Sequence, residues 1–210
     1  MNAYTIHQQE SSYASPWSLG VRVRVLAWEL VWTLLCRWTP KPFNAWRLFW
    51  LRLFGATIHA APFVHSRSTI VRPWNLVLHK RSCLGDGAVA YCLDRIELGE
   101  GSTIAQGAYL CSGTHDFDHP STPLKTAPIS IGAYAFVGLR ALVMPGVCIG
   151  AGCVVGAGAV VVKDTEDWCV YASNPARKIG VRRRPTATHD AAAGPANAPN
   201  PVHFSDPELK

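Results

Sequence analysis

The stretch "THDFDH" (Thr114–His119) places two histidines and two aspartates within six residues, and a Pro-rich run follows it to Pro128. An imidazole has an unperturbed pKa of about 6.5, so it suits a general base working near neutrality. A carboxylate beside it can orient the ring or bind hydroxyl groups, which gives Asp116 a role next to His115, with Asp118 and His119 within reach of the same ligand. His115 and His119 also form an H-x3-H pair, two of the three side chains a catalytic zinc site would need.

What positions these residues is a repeat that they interrupt. Ile131, Val137, Val143, Ile149, Val155 and Val161 fall at intervals of six, and a small or β-branched residue stands four places after each: Ala135, Ala141, Val147, Cys153, Ala159 and Thr165. A helix needs a period of about 3.6 and a half-buried strand a period of about 2. A period of six fits short strands joined by tight turns, each sending one aliphatic side chain inward: the hexapeptide β-helix pattern. Upstream, Ile58, Val64 and Ile70, then Leu78, Leu84 and Ala90, then Leu98, Ile104 and Leu110 keep the same beat. The phase slips by two after Ile70 and after Ala90, and Leu110 to Ile131 spans 21 residues where six would serve. Fifteen residues therefore leave the coil as a loop, and that loop carries the His/Asp cluster. The fold expected is an all-β repeat solenoid, a parallel β-helix, over residues 55–181.

The rest of the chain divides around it. Residues 1–16 read as disordered and too polar for a secretory signal. Residues 17–54 hold six of the eight tryptophans, and six basic residues there face only Glu29. "TPKP" (Thr39–Pro42) splits this segment into two expected helices. They serve as a cap on the open solenoid end or as an attachment to a membrane surface, since tryptophan and basic side chains favour the lipid headgroup region. Its most apolar window, Val25–Cys36, has 12 residues and contains Glu29, short of the roughly 20 needed to span a bilayer. Residues 182–210, rich in Ala and Pro, read as a disordered tail. Seven cysteines without a CxxC pair read as small buried hydrophobes in a reducing cytoplasm. The net charge of +6 comes without a nucleic-acid motif, which argues against such a partner.

Several motifs in order carry a resemblance: "WRLFWLRLFGATI" (46–58), "RPWNLVL" (72–78), "CLGDGAVAYCLDRIELG" (83–99), "YLCSGTHD" (109–116), "PISIGAYAFVG" (128–138), "VMPGVCIGAGCVVGAGAVVVKD" (143–164) and "SNPARKI" (173–179). Over about residues 20–181 the chain resembles the hexapeptide-repeat, left-handed β-helix acyltransferases, in particular the colanic-acid-type exopolysaccharide acetyltransferases. The resemblance implies a homotrimer that binds acetyl-CoA as co-substrate between subunits, needs no metal, and acetylates a saccharide, free or lipid-linked, in the cytoplasm or at the inner face of the membrane. It places His115 as the catalytic base, and Asp116, Asp94 and Tyr91 at the acceptor. It places Leu139, Ala157, Val162, Lys163 and Arg177 along the coenzyme. Leu139 and Val162 depart from the smaller or polar residues usual there, so backbone contacts are the expectation at both.

Two other classes share the architecture. A γ-type carbonic anhydrase would hold a metal with His79, His115 and His119; His79 lies 36 residues, six repeats, before His115. A non-catalytic scaffold would bind no coenzyme and would tolerate loss of His115.

Overall fold

The structure, a computed structural model, describes residues 4–8 and 15–184. From Thr57 onward, strands of two to four residues wind into a parallel solenoid of about six coils with three faces. The first face runs from Thr57–Ile58 to Cys148–Ile149 and the second from Phe63–Val64 to Cys169–Ala172, extended by antiparallel Arg177–Val181. The third holds Thr69–Ile70, Val89–Tyr91, Tyr109–Cys111, Leu142–Val143 and Val160–Val161. No such strand buries a core alone. Each turns one aliphatic residue inward and stacks it on its counterpart one coil away, so Ile58, Leu78, Leu98, Ile131 and Ile149 form one in-register ladder. Val137, Val143, Val155 and Val161 are buried as the beat requires, and so are the small residues Ala135, Ala141, Cys153 and Ala159.

The phase slips are insertions at a single corner. Ile58 registers with Leu78, 20 residues on; Val143 with Val161, 18 on; Leu98 with Ile131, 33 on. The extra residues leave each time after the third face: at the 3-10 turn Pro73–Asn75, at the turn around Leu93, and at the excursion after Leu110. They stack as the strands do. The Asn75 side-chain amide donates to the carbonyls of Cys92 and Leu93 at 3.0 and 3.1 Å. The Ser112 hydroxyl donates to the Tyr91 carbonyl at 2.7 Å and accepts from the Asp94 N–H at 2.9 Å.

The two helices expected on either side of "TPKP" are present. α1 (Leu19–Val31) runs on through a π turn at Trp32–Cys36, and α2 (Asn44–Leu53) follows a short 3-10 turn. Ser18 caps α1, its hydroxyl accepting from the Val21 N–H. One face of the pair closes the solenoid. The first coil has strand partners on one side only, and an open edge leaves backbone groups unpaired. Trp28 and Trp32 donate their indole N–H groups to the carbonyls of Ile70 and Ser68, at 2.6 and 3.0 Å. Asn44 donates to the Pro62 carbonyl and accepts from the Val64 N–H. Arg47, fully buried, donates Nε to the Val64 carbonyl at 2.8 Å and its other nitrogens to Thr39, Pro40 and Lys41.

Both segments expected to be disordered include described residues. Thr5–His7 forms a strand against Leu124–Thr126, because the excursion leaves a strand edge that needs pairing. Arg182 is tied down as well: its N–H donates to the Trp168 carbonyl and its guanidinium to those of Tyr134 and Gly152. The remainder of the expected tail, from 185 on, and residues 1–3 and 9–14 lie outside the described residues. Cys36, Cys92, Cys153 and Cys169 are buried thiols, and burial pushes that of Cys36 up to about 11, as suits an inert packing role.

Replacing Arg47 with Met leaves the buried Val64 carbonyl without its side-chain donor and frees the part-buried partners at Thr39, Pro40 and Lys41, a buried orphan costing about 1–3 kcal/mol. We expect Arg47→Met to lower stability by about 2–4 kcal/mol, read as a fall in the urea midpoint; an unchanged midpoint would show that water serves the edge equally well.

Candidate active site

The excursion is a β-hairpin. Gly113–His115 pairs with Leu124–Thr126, and Thr5–His7 adds a third antiparallel strand on the outer edge. Its root is fixed by Ser112, fully buried, and by the Ala127 N–H donating to the Ser112 carbonyl at 3.0 Å. Gly113 lets the hairpin lie flush on the corner below, since a Cβ there would come within 2.7 Å of the Leu93 side chain. The strap is anchored too: His7 Nε2 meets the Thr126 hydroxyl at 3.0 Å, and the Tyr4 hydroxyl donates to the Pro145 carbonyl.

His115 stands exposed where the hairpin's first strand ends, with Nδ1 2.8 Å from the Thr122 carbonyl. A carbonyl only accepts, so in the neutral ring Nδ1 carries the proton and Nε2 presents the lone pair. That is the tautomer a general base needs, and the hydrogen bond holds the ring in place. Thr122 has a left-handed φ of 41°, uncommon for a threonine, within a turn closed by its N–H on the His119 carbonyl. Orienting the imidazole, one of the two roles expected of Asp116, thus falls to a backbone group. The Asp116 carboxylate pairs instead with Lys125 Nζ at 2.8 Å, across the hairpin, and this hydrogen bond holds its pKa below the usual carboxylate range. Asp116 also lines a cleft with Ile6, Gln8, His119, Ser121 and Pro123, and His115 is not part of that lining.

Tyr91 and Asp94 share the corner from which the hairpin springs. Tyr91 is half-buried in register with Cys111, its ring 6.0 Å from that of Tyr109, and burial raises its hydroxyl pKa. Asp94 is held by Ser112 through its backbone, and its carboxylate accepts from the Arg95 N–H.

The five expected coenzyme positions divide between the two edges of the third face. Leu139 and Ala157 sit in successive turns before it, exposed and joined by the Gly158 N–H on the Leu139 carbonyl at 2.8 Å. Arg177 extends that row: it pairs with Ala172, which packs against Gly156. Val162 and Lys163 follow the face, at the corner that bears the hairpin two coils earlier. All five are exposed, and they form two ridges rather than one pocket. The three histidines of the metal alternative do not converge either. His79 follows the first face, stacked on His59 with Nε2 2.7 Å from Glu97, and the His119 Nδ1 is taken by Ser121. Among the described residues no three ligating side chains come together.

Sequence reasoning missed Thr122, Lys125, Ser112 and the Thr5–His7 strap. Thr122 acts through its backbone and leaves no trace in side-chain chemistry. Ser112, directly before "GTH", is the one a closer reading of the loop root could have found.

Comparison with known proteins places the chain in a family. Residues 128–163 match the family pattern described as "Hexapeptide repeat of succinyl-transferase". WcaF of Escherichia coli (strain K12), a candidate colanic acid biosynthesis acetyltransferase, is 36% identical over 165 residues, which cover 79% of this chain and 90% of that protein. The chain belongs to the hexapeptide-repeat acetyltransferases. Solved structures share its fold: a maltose O-acetyltransferase from Clostridium difficile 630, with TM-score 0.70 at 20% identity over 80% of this chain and 90% of that one. A second is the hexapeptide-repeat acetyltransferase VCA0836 from Vibrio cholerae O1 biovar eltor, complexed with acetyl coenzyme A, with TM-score 0.71 at 19% identity over 82% and 94%.

Because the Asp116 pKa is depressed in the folded hairpin, the ion pair with Lys125 contributes at and above the ordinary carboxylate pKa of about 3.9 and is lost as pH falls through the lower folded value. We expect backbone amide exchange in residues 113–126, corrected for intrinsic rates, to speed up below that range in the wild type. Asp116→Asn should show the faster exchange already at neutral pH, and equal protection in both proteins would remove the ion pair from the account.

Proposed function

We propose that the protein transfers an acetyl group from acetyl-CoA to a saccharide hydroxyl, with His115 as general base, in the biosynthesis of an exopolysaccharide. The observation that carries this reading is the anchored imidazole: Nδ1 on the Thr122 carbonyl, in an exposed residue, on the loop for which the repeat is broken. Nε2 takes the proton of the attacking hydroxyl as its oxygen adds to the thioester carbonyl. Collapse of the tetrahedral intermediate breaks the carbon–sulfur bond, the imidazolium returns the proton to sulfur, and the acetyl ester and free coenzyme A leave. Proximity supplies much of the rate, since both substrates must be held at one place.

Acetyl-CoA lies along the ridge of Leu139, Ala157 and Arg177, with Val162 and Lys163 contributing from the opposite edge. Arg177 and Lys163 are exposed cations suited to phosphate, Leu139 and Ala157 contribute backbone groups beside the pantetheine arm, and Val162 lies near the adenosine end. Two separate ridges favour a groove completed by a second copy, in a homotrimer. Tyr91, Asp94 and Asp116 line the approach of the acceptor hydroxyls. The saccharide and exopolysaccharide assignments draw on the relatives: one bears a colanic acid role in its name and another is a maltose O-acetyltransferase.

Calorimetry with acetyl-CoA on the wild type and His115→Ala should give similar affinities, while turnover with a saccharide acceptor drops by about 10²–10⁴-fold in the variant. Absence of binding by both proteins would defeat the acetyl-CoA reading; full turnover by the variant would remove His115 from the chemistry.

A further inference from the structure

The helical segment has two apolar faces, and the cap uses one. Trp28, Trp32 and Cys36 point into the solenoid end. On the opposite side of the same helix Leu19, Val23, Leu26, Leu30 and Leu34 recur at intervals of three or four, and each is more than half exposed. α2 repeats the arrangement with Trp46, Phe49 and Leu53 outward and Leu48 and Leu51 inward. The Trp46 indole N–H donates to the Leu35 carbonyl at 3.0 Å, which brings the two outer stripes together. Trp38, 81% exposed, and Phe43 occupy the link between the helices. A monomer seldom leaves so continuous an apolar patch in water.

The charges around it are of one sign. Arg22, Arg37, Lys41 and Arg52 are exposed along the segment, and Glu29 is its single acidic residue. Among the described residues none of these four forms an ion pair; Arg24 and Arg47 are instead engaged inward, on Trp74 and at the cap. A second copy docked face to face would bring a cationic rim against a cationic rim. An anionic lipid surface is complementary to both parts: apolar stripes and indole rings enter the headgroup boundary, and the guanidinium and ammonium groups meet phosphates. Among the described residues no helix is long and apolar enough to cross a membrane, so the segment would lie on it.

We infer that the outer face of residues 19–53 is a docking surface for an anionic lipid bilayer, which holds the capped end of the solenoid against the membrane. This does not depend on the acetyl-transfer reading, and its test needs no substrate. Full-length protein is floated with vesicles of phosphatidylcholine alone and of phosphatidylcholine with phosphatidylglycerol, at low and high salt. The wild type is expected to float with the mixed vesicles, and at least about tenfold less with the neutral ones or at high salt. Leu30→Glu/Leu34→Glu and, separately, Arg22→Glu/Arg37→Glu should each reduce flotation by about tenfold or more, with melting midpoint and light-scattering mass unchanged. Should the leucine pair prove unstable, the arginine pair, whose side chains lie in solvent, decides. Wild-type protein that stays soluble with both vesicle types overturns the inference, as do variants that float like the wild type. A change of oligomeric mass in the leucine variant would make this face a contact between copies and overturn it equally.

Discussion

Register between neighbouring coils governs this molecule. Each inward aliphatic residue must stack on its counterpart about 4.8 Å away, because a strand of two or three residues has no other means of burying its side chain. A slip of one residue would turn the aliphatic outward and expose the ladder. The chain therefore tolerates extra residues only where they leave the ladder untouched, at a corner. All three insertions occur at the same corner, after the third face, and each rests on the one before through Asn75 and Ser112. The His115 hairpin is the longest of the three and inherits a rigid base from the other two. The hairpin is in this sense an enlarged turn, precise because the turns beneath it are.

The same constraint creates the need for the helices. A stack of coils has two ends, and its first coil presents carbonyl and amide groups to whatever lies beyond. Two tryptophans, an asparagine and an arginine meet them, which accounts for Trp28 and Trp32, the buried two of the six tryptophans in residues 17–54. The outward aromatic and aliphatic side chains have no such duty. A single amphipathic logic thus runs twice around the same helices, once toward protein and once toward solvent.

What the sequence disclosed follows from where periodicity speaks. The buried ladder from Ile131 to Val161 was legible because each residue repeats at a fixed interval, and the 15 extra residues after Leu110 were countable against that interval. The helices were legible from "TPKP". The strap and the orientation of His115 were not. Thr5–His7 is too short for alternation to be measured, and its partner strand lies more than a hundred residues away. The imidazole is oriented by a backbone carbonyl, a group that every residue possesses, so no choice of side chain marks it. Asp116 shows a second limit: its type left both orienting the ring and binding hydroxyls open, and only the geometry shows its carboxylate on Lys125 across the hairpin. The division of the coenzyme positions between two edges emerged only once the coils were wound.

The strap also has a bearing on the order in which the protein assembles. Within the solenoid, most contacts join residues 16 to 20 apart, and 33 where the hairpin intervenes, so coils can zip one upon another at small entropic cost. The His7–Thr126 contact spans 119 residues and closes a loop that includes the helices and half of the coils. Long-range pairings of this kind form late, after nearer contacts have shortened the effective loop. The hairpin that carries His115 is therefore finished by an earlier segment of the chain returning to it, and its completion reports that the stack beneath is already built.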